Sequence, residues 1–270
     1  MLGFLSRHGM RSFLLDWGDE ATSADRLTLD QLILERMKPA LDYVHRLTGK
    51  RPFVLGYCMG GTLATALACL VDRQIAGLCL LATPWNFTQV GRAEVRPSTQ
   101  MNILASFAGC IGGTPVDLLQ TLFAQIDPLT VPKKFSEFAK LDPASKIAVQ
   151  FVAIEDWLNE GTPLNAEIAH ACFLDWYGNN TPGRGAWQID GFQIRPDRLD
   201  LPVWLAVPER DRIVPPQSAL ALADVLTSCE LIRPKGGHVG MVAGQNAEKL
   251  LWSPLLSWLE RIAALQKKSW

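Results

Sequence analysis

Cys58 stands between two glycines in the run Phe53-Val54-Leu55-Gly56-Tyr57-Cys58-Met59-Gly60-Gly61, and the helix-forming Thr62-Leu63-Ala64-Thr65-Ala66-Leu67-Ala68 follows at once. An apolar strand that ends in G-x-C-x-G and opens a helix has the form of a nucleophile elbow, with cysteine in the place of serine. A nucleophile held between strand and helix needs a strained backbone, and its neighbours two residues away, Gly56 and Gly60, must carry no bulk. A helix N-terminus beside Cys58 also favours the thiolate, through the helix dipole and the unpaired N–H groups. The competing reading is an ordinary buried thiol beside two chance glycines, since cysteine is among the most buried residue types.

Two later loops hold the remaining chemistry, Pro208-Glu209-Arg210-Asp211-Arg212-Ile213-Val214-Pro215 and Gly236-Gly237-His238-Val239-Gly240. Each follows an apolar run read as a strand, and open α/β sheets place their sites at the carboxyl ends of strands. Nucleophile, acid, histidine is the chain order of α/β-hydrolases, and here it reads Cys58, Asp211, His238. In such a set His238 takes the proton of Cys58 and returns it to the leaving or attacking group. Asp211 holds the imidazole tautomer and stabilises its charged form. The backbone N–H of Met59 supplies one oxyanion donor. Glu209 is the alternative acid, whereas His8, His45 and His170 do not stand at strand ends.

These residues need a sheet to position them. Ser12-Phe13-Leu14-Leu15-Asp16-Trp17 reads as a short strand, and Thr28 to about Leu47 as an amphipathic helix that Gly49 stops. Pro52 to Gly56 and Gly77-Leu78-Cys79-Leu80-Leu81-Ala82 read as further strands, the second a continuous apolar run suited to a sheet buried on both faces. From Trp85 to Leu199 the pattern changes to helix-like segments broken by prolines. Alternation returns with Pro202-Val203-Trp204-Leu205-Ala206-Val207, a helix around Ser218 to Leu226, the strand Glu230-Leu231-Ile232-Arg233 and a C-terminal helix from about Pro254 to Leu265. The expected fold is an α/β-hydrolase: a mostly parallel sheet flanked by helices, with residues 1–84 and 200–270 as the core and 85–199 as a mainly helical cap insertion.

A chain of 270 residues with 48% hydrophobic and 20% charged residues can bury a large core. Its formal net charge of −1, without a dense Lys/Arg run, gives no electrostatic footprint for nucleic acid. The apolar start Met1-Leu2-Gly3-Phe4-Leu5 is interrupted by Arg7, His8 and Arg11, so neither an export signal nor a membrane span is expected. Six cysteines without a C-x-x-C pair or metal-ligand spacing, five of them among apolar neighbours, read as reduced core thiols of a cytoplasmic protein that holds no metal. Trp85, Trp157, Trp176 and Trp187 read as core or cap packing rather than pocket walls.

The chain resembles polyhydroxyalkanoate synthases, the acyltransferases that polymerise (R)-3-hydroxyacyl-CoA. The likeness lies in Leu14-Leu15-Asp16-Trp17-Gly18, Asp25-Arg26-Leu27-Thr28-Leu29-Asp30, Gly56-Tyr57-Cys58-Met59-Gly60-Gly61, Asp211-Arg212-Ile213-Val214-Pro215 and Gly237-His238. It continues in Trp157-Leu158-Asn159-Glu160-Gly161 and Trp176-Tyr177-Gly178-Asn179-Asn180. The resemblance implies that Cys58 carries the growing chain as a thioester, that His238 activates it, and that Asp211 activates the substrate hydroxyl or supports His238. It implies hydroxyacyl-CoA as substrate without metal or redox cofactor, a polymer product, a granule surface in the cytoplasm, and a homodimer or a second synthase subunit as partner. The same residues would also equip a cysteine-dependent thioesterase or esterase, and a non-catalytic homologue binding granules or a synthase would need none of them. Two departures stand out. Arg212 follows the acid where many members have histidine. A complete sheet of this kind has three strands before Ser12–Trp17, one of them bearing the second oxyanion donor, and the first strands are expected to be missing here.

Overall fold

Along the central strands of the computed structural model, successive side chains enter opposite cores, and both faces of the sheet are covered. The structure describes residues 1–17, 27–89, 97–126 and 130–267. Four strands, β1 (Phe53–Tyr57), β2 (Gly77–Leu81), β3 (Val203–Ala206) and β4 (Glu230–Ile232), pair in parallel in the order β1-β2-β3-β4. Leu78, Leu80, Val203 and Leu205 point into one core, while Cys79, Leu81, Trp204 and Ala206 point into the other. That alternation explains why β2 and β3 are apolar at every position.

Parallel neighbours need crossovers, and helices supply them. Helix α1 (Leu2–Arg7) packs Phe4 and Leu5 into the second core. The segments Leu29–Gln31, Leu32–Met37 and Lys38–Thr48 run on without a break as α2, which packs on the first core. Thr28 caps its start: its hydroxyl accepts from the Gln31 N–H at 3.2 Å while the Gln31 side chain accepts from the Thr28 N–H at 3.0 Å. Gly49, at φ 63°, ends it in the left-handed region where only glycine sits without strain. Between β1 and β2 lies α3 (Met59–Val71), buried without interruption from Gly61 to Ala68 because alanine, glycine and threonine let it lie close on the sheet.

Between β2 and β3 the chain makes helices α4 (Pro97–Ile111), α5 (Val116–Ile126), α6 (Thr130–Phe138) and α7 (Lys146–Asn159), then Ala166–His170 running into Ala171–Gly178 as α8. Asn180 ties the end of this stretch to the loop after β2. Its carbonyl accepts from the Phe87 N–H at 2.8 Å and its amide donates to Asn86 at 3.0 Å. Trp85, Trp176 and Trp187 are buried against one another, as packing residues should be, whereas Trp157 is 54% exposed. Helices α9 (Pro216–Val225), α10 (His238–Ala243) and α11 (Ser253–Lys267) complete the chain. No helix of the described residues is long and apolar enough to cross a membrane.

Besides Trp157, three expectations need correction. Residues 12–17 form no strand: Phe13, Leu14 and Leu15 are exposed, and the described part of β1 is paired only with β2. An apolar run becomes a strand only where a neighbouring strand takes up its N–H and C=O groups, and no described strand pairs with this run. Gly18 and Asp25-Arg26 lie outside those residues. Gly236–Gly240 is not wholly a loop, since α10 begins at His238 itself. Cys110 is exposed on α4 rather than a core thiol.

Candidate active site

The carboxyl ends of β1, β3 and β4 converge on one place. Cys58 leaves β1 with φ 54° and ψ −126°, a conformation that L residues rarely adopt. Its N–H still bonds the Leu81 carbonyl of β2 at 2.9 Å, and its carbonyl accepts from the Gly61 N–H at 2.9 Å, so sheet and helix both hold the turn. Met59 is the first residue of α3, and its N–H has no carbonyl one turn back to bind. An N–H in that place is the donor that an elbow of this form offers to an oxyanion.

Space around the elbow is set by Gly56 and Gly61. A methyl at Gly56 would lie 2.5 Å from the Gly60 carbonyl oxygen and the Gly61 Cα, and one at Gly61 would lie 1.9 Å from the Thr83 hydroxyl. A methyl at Gly60 would meet nothing within 4 Å. Gly60 is therefore not the small neighbour that the motif suggested: the close approach falls one residue later, on the face of α3 turned to β2. In urea unfolding, Gly56→Ala is expected to lose about 3 kcal/mol or more, because rigid backbone is struck, whereas Gly60→Ala stays within about 1 kcal/mol of the parent. Equal unfolding midpoints for the two variants would refute this assignment of crowding.

Asp211 is buried in the loop after β3. One carboxylate oxygen accepts from the N–H groups of Ile213 and Val214, both at 2.9 Å. The other faces His238 Nδ1 at 2.7 Å. Glu209, the alternative acid, is exposed and takes no part. With Nδ1 committed to Asp211, Nε2 is the nitrogen left for the Cys58 thiol, which is near enough to help raise the pKa of this imidazole. Burial by itself lowers the pKa of His238, but the Asp211 and Cys58 hydrogen bonds and charges outweigh it and raise the group to about 9. Burial pushes the thiols of Cys69 and Cys172 up to about 12 and that of Cys79 up as well, which leaves them inert at neutral pH. Cys58 differs from them in having an acid–base partner.

Sequence reasoning passed over two tyrosines. The ring of Tyr57 stacks on His238, with centroids 4.8 Å apart and planes at 30°. Tyr177 of α8 packs in the same cluster as Cys58, edge-on to Phe87 at 5.0 Å. Tyr57 sits inside the elbow motif and Tyr177 inside the Trp176–Asn180 motif, yet strand alternation and aromatic packing account for both without reference to a site.

A parallel sheet whose strand ends carry an elbow nucleophile, an acid and a histidine in that order defines an α/β-hydrolase. The chain belongs to the alpha/beta hydrolase fold family, whose model matches residues 2–244. It is similar to the poly(3-hydroxyalkanoate) polymerase subunit PhaC of Haloferax mediterranei, at 27% identity over 260 residues that make up 94% of this chain and 53% of that one. The subunit of the same name from Allochromatium vinosum is 26% identical over 266 residues, 93% of this chain and 72% of that one. The chain thus spans about half the length of the Haloferax relative. Among solved structures it is similar in fold to a monoacylglycerol lipase of Paleococcus ferrophilus, with a TM-score of 0.53 and 16% identity, over 88% of this chain and 77% of that one.

Proposed function

We propose that the protein is a polyhydroxyalkanoate synthase-like acyltransferase that passes (R)-3-hydroxyacyl groups from CoA through a thioester on Cys58. The observation that carries this reading is the strained Cys58 beside His238, itself hydrogen-bonded to buried Asp211 at 2.7 Å. His238 Nε2 takes the thiol proton and Cys58 sulfur attacks the thioester carbonyl. The oxyanion that forms is met by the Met59 N–H. Collapse breaks the carbon–sulfur bond to CoA, whose thiolate takes the proton from His238. In the second half His238 removes the proton of an acceptor hydroxyl, the oxygen attacks the Cys58 thioester, an ester forms, and the thiol is restored.

Cysteine suits this exchange because one thioester replaces another at nearly equal energy, so the acyl group is never trapped. Residues 85–199 act in this reading as a cap that keeps water from the thioester, which decides between a hydroxyl acceptor and hydrolysis. The similar proteins are named as polymerase subunits, and the reading extends to a partner subunit or second copy and to work at a polymer granule. It calls on no metal or redox cofactor.

The test is incubation of the purified chain with (R)-3-hydroxybutyryl-CoA, with free CoA, polymer and free acid measured together. CoA release with polymer is the expected result. Release with free acid alone would replace the synthase reading by a thioesterase, and no release would refute a self-sufficient enzyme on this substrate.

A further inference from the structure

Tyr57 has two features that the proposed reaction leaves unused. Its ring lies face-on to His238 at 4.8 Å, and its hydroxyl is buried with no hydrogen-bond partner among the described residues. A tyrosine kept for its hydroxyl would be expected to have found a partner in such a place. Tyr57 also lines a cavity of about 370 Å³, walled by Gln150 and Trp157 of α7 and by Val239 and Val242 of α10, besides packing on the second core. The groups around His238 approach from different directions: Asp211 at the Nδ1 edge from the loop after β3, Cys58 from the elbow, and Tyr57 on the ring face from β1. Tyr177 of α8 packs in the same cluster as Cys58. Each time His238 takes the thiol proton, its ring gains a positive charge directly against the electron-rich face of Tyr57.

Resting on the reading of Cys58 and His238 as a proton-sharing pair, we propose that Tyr57 is a positioning residue: its ring face fixes the plane of His238 and favours the protonated imidazole. Two contacts at right angles, the Asp211 hydrogen bond in the ring plane and the Tyr57 face across it, leave the imidazole no axis about which to swing. A cation over an aromatic face is favourable, and more so in a water-poor site. Phenylalanine presents the same face and should serve as well, whereas leucine fills much of the volume without one.

The experiment follows alkylation of Cys58 by iodoacetamide across the pH range, read by peptide mass so that exposed Cys110 is counted separately. Parent, Tyr57→Phe, Tyr57→Leu and His238→Ala are compared. In Tyr57→Leu the rate at about pH 6.5 is expected to fall about three- to tenfold while the rate at alkaline pH is unchanged, because the imidazolium that draws off the thiol proton has lost its support. Tyr57→Phe should overlay the parent. A Tyr57→Leu profile that overlays the parent, a loss uniform at every pH, or a Tyr57→Phe profile displaced as far as that of Tyr57→Leu would each overturn the proposal. If His238→Ala overlays the parent, the underlying pair falls and the role of Tyr57 with it. If His238→Ala differs from the parent and Tyr57→Leu does not, the pair stands and only the role of Tyr57 is lost.

Discussion

Cys58→Ala is expected to lower CoA release from (R)-3-hydroxybutyryl-CoA by at least about 10⁴-fold, roughly 5.5 kcal/mol of barrier. Without the sulfur, His238 and the Met59 N–H remain in place, but they can only assist water, and no covalent intermediate forms. The comparison that isolates chemistry from packing is Cys58→Ser. It keeps the elbow and a nucleophilic oxygen, so it should take up acyl groups slowly and then hold them, since an oxyester is more stable than the thioester it came from. Intact-mass spectra should therefore reveal an acyl adduct that persists on Cys58→Ser, turns over in the parent and never forms on Cys58→Ala. An alanine variant within tenfold of the parent would remove Cys58 from the reaction altogether.

How far this site was legible from sequence depended on whether a residue's role follows from local backbone demands. Cys58 could be read because an elbow imposes a spacing on glycine and a change from strand to helix, and the structure reproduces both in φ 54° at Cys58 and in α3 starting at Met59. Asp211 and His238 could be read from their places after apolar runs, since parallel strands deliver their carboxyl ends to one edge. Gly56 could be read in the same way as Cys58, but the choice between Gly60 and Gly61 could not. Which of those two is crowded depends on the rotation of α3 over β2, and the side chain that would be struck is that of Thr83, in another segment of the chain. Tyr57 escaped for a similar reason. Its contact with His238 joins the end of β1 to α10, which follows β4 on the far side of β2 and β3 in the sheet, and nothing in the one segment announces the other.

The run at Ser12–Trp17 failed in the opposite way. Its apolar pattern has the period of a strand, but period is a necessary condition, and the ladder must come from a neighbour. Among the described residues β1 has that neighbour only on the β2 side, so Leu14 stands 79% exposed where a sheet would have covered it. The α2 helix succeeded where this strand did not because its stabilisation is local as well as tertiary: the Thr28–Gln31 cap and the Gly49 stop lie within the segment itself.

Asp211→Asn should leave the fold standing and cost about 10⁴-fold in turnover, because it reverses the histidine tautomer. The Asn carbonyl can still accept from the N–H groups of Ile213 and Val214, which now bind one carboxylate oxygen at 2.9 Å. Its amide nitrogen then faces His238 Nδ1, where the parent has an acceptor at 2.7 Å. A donor in that position obliges Nδ1 to be unprotonated, so the ring proton moves to Nε2, and His238 can no longer take the proton of Cys58. The same change should appear in stability. The folded His238 pKa of about 9 lies above its ordinary value of 6.5, so the parent gains stability from the protonated ring that is complete below about pH 6.5 and is lost as pH rises through about 9. The Asp211 hydrogen bond is the largest single influence that raises it. Denaturant unfolding of parent and variant should therefore differ most between about pH 5 and 6.5 and converge as pH passes about 9. A gap that widens with pH would mean that Asp211 holds a neutral imidazole, and the proposed exchange of a proton between Cys58 and His238 would have to be abandoned.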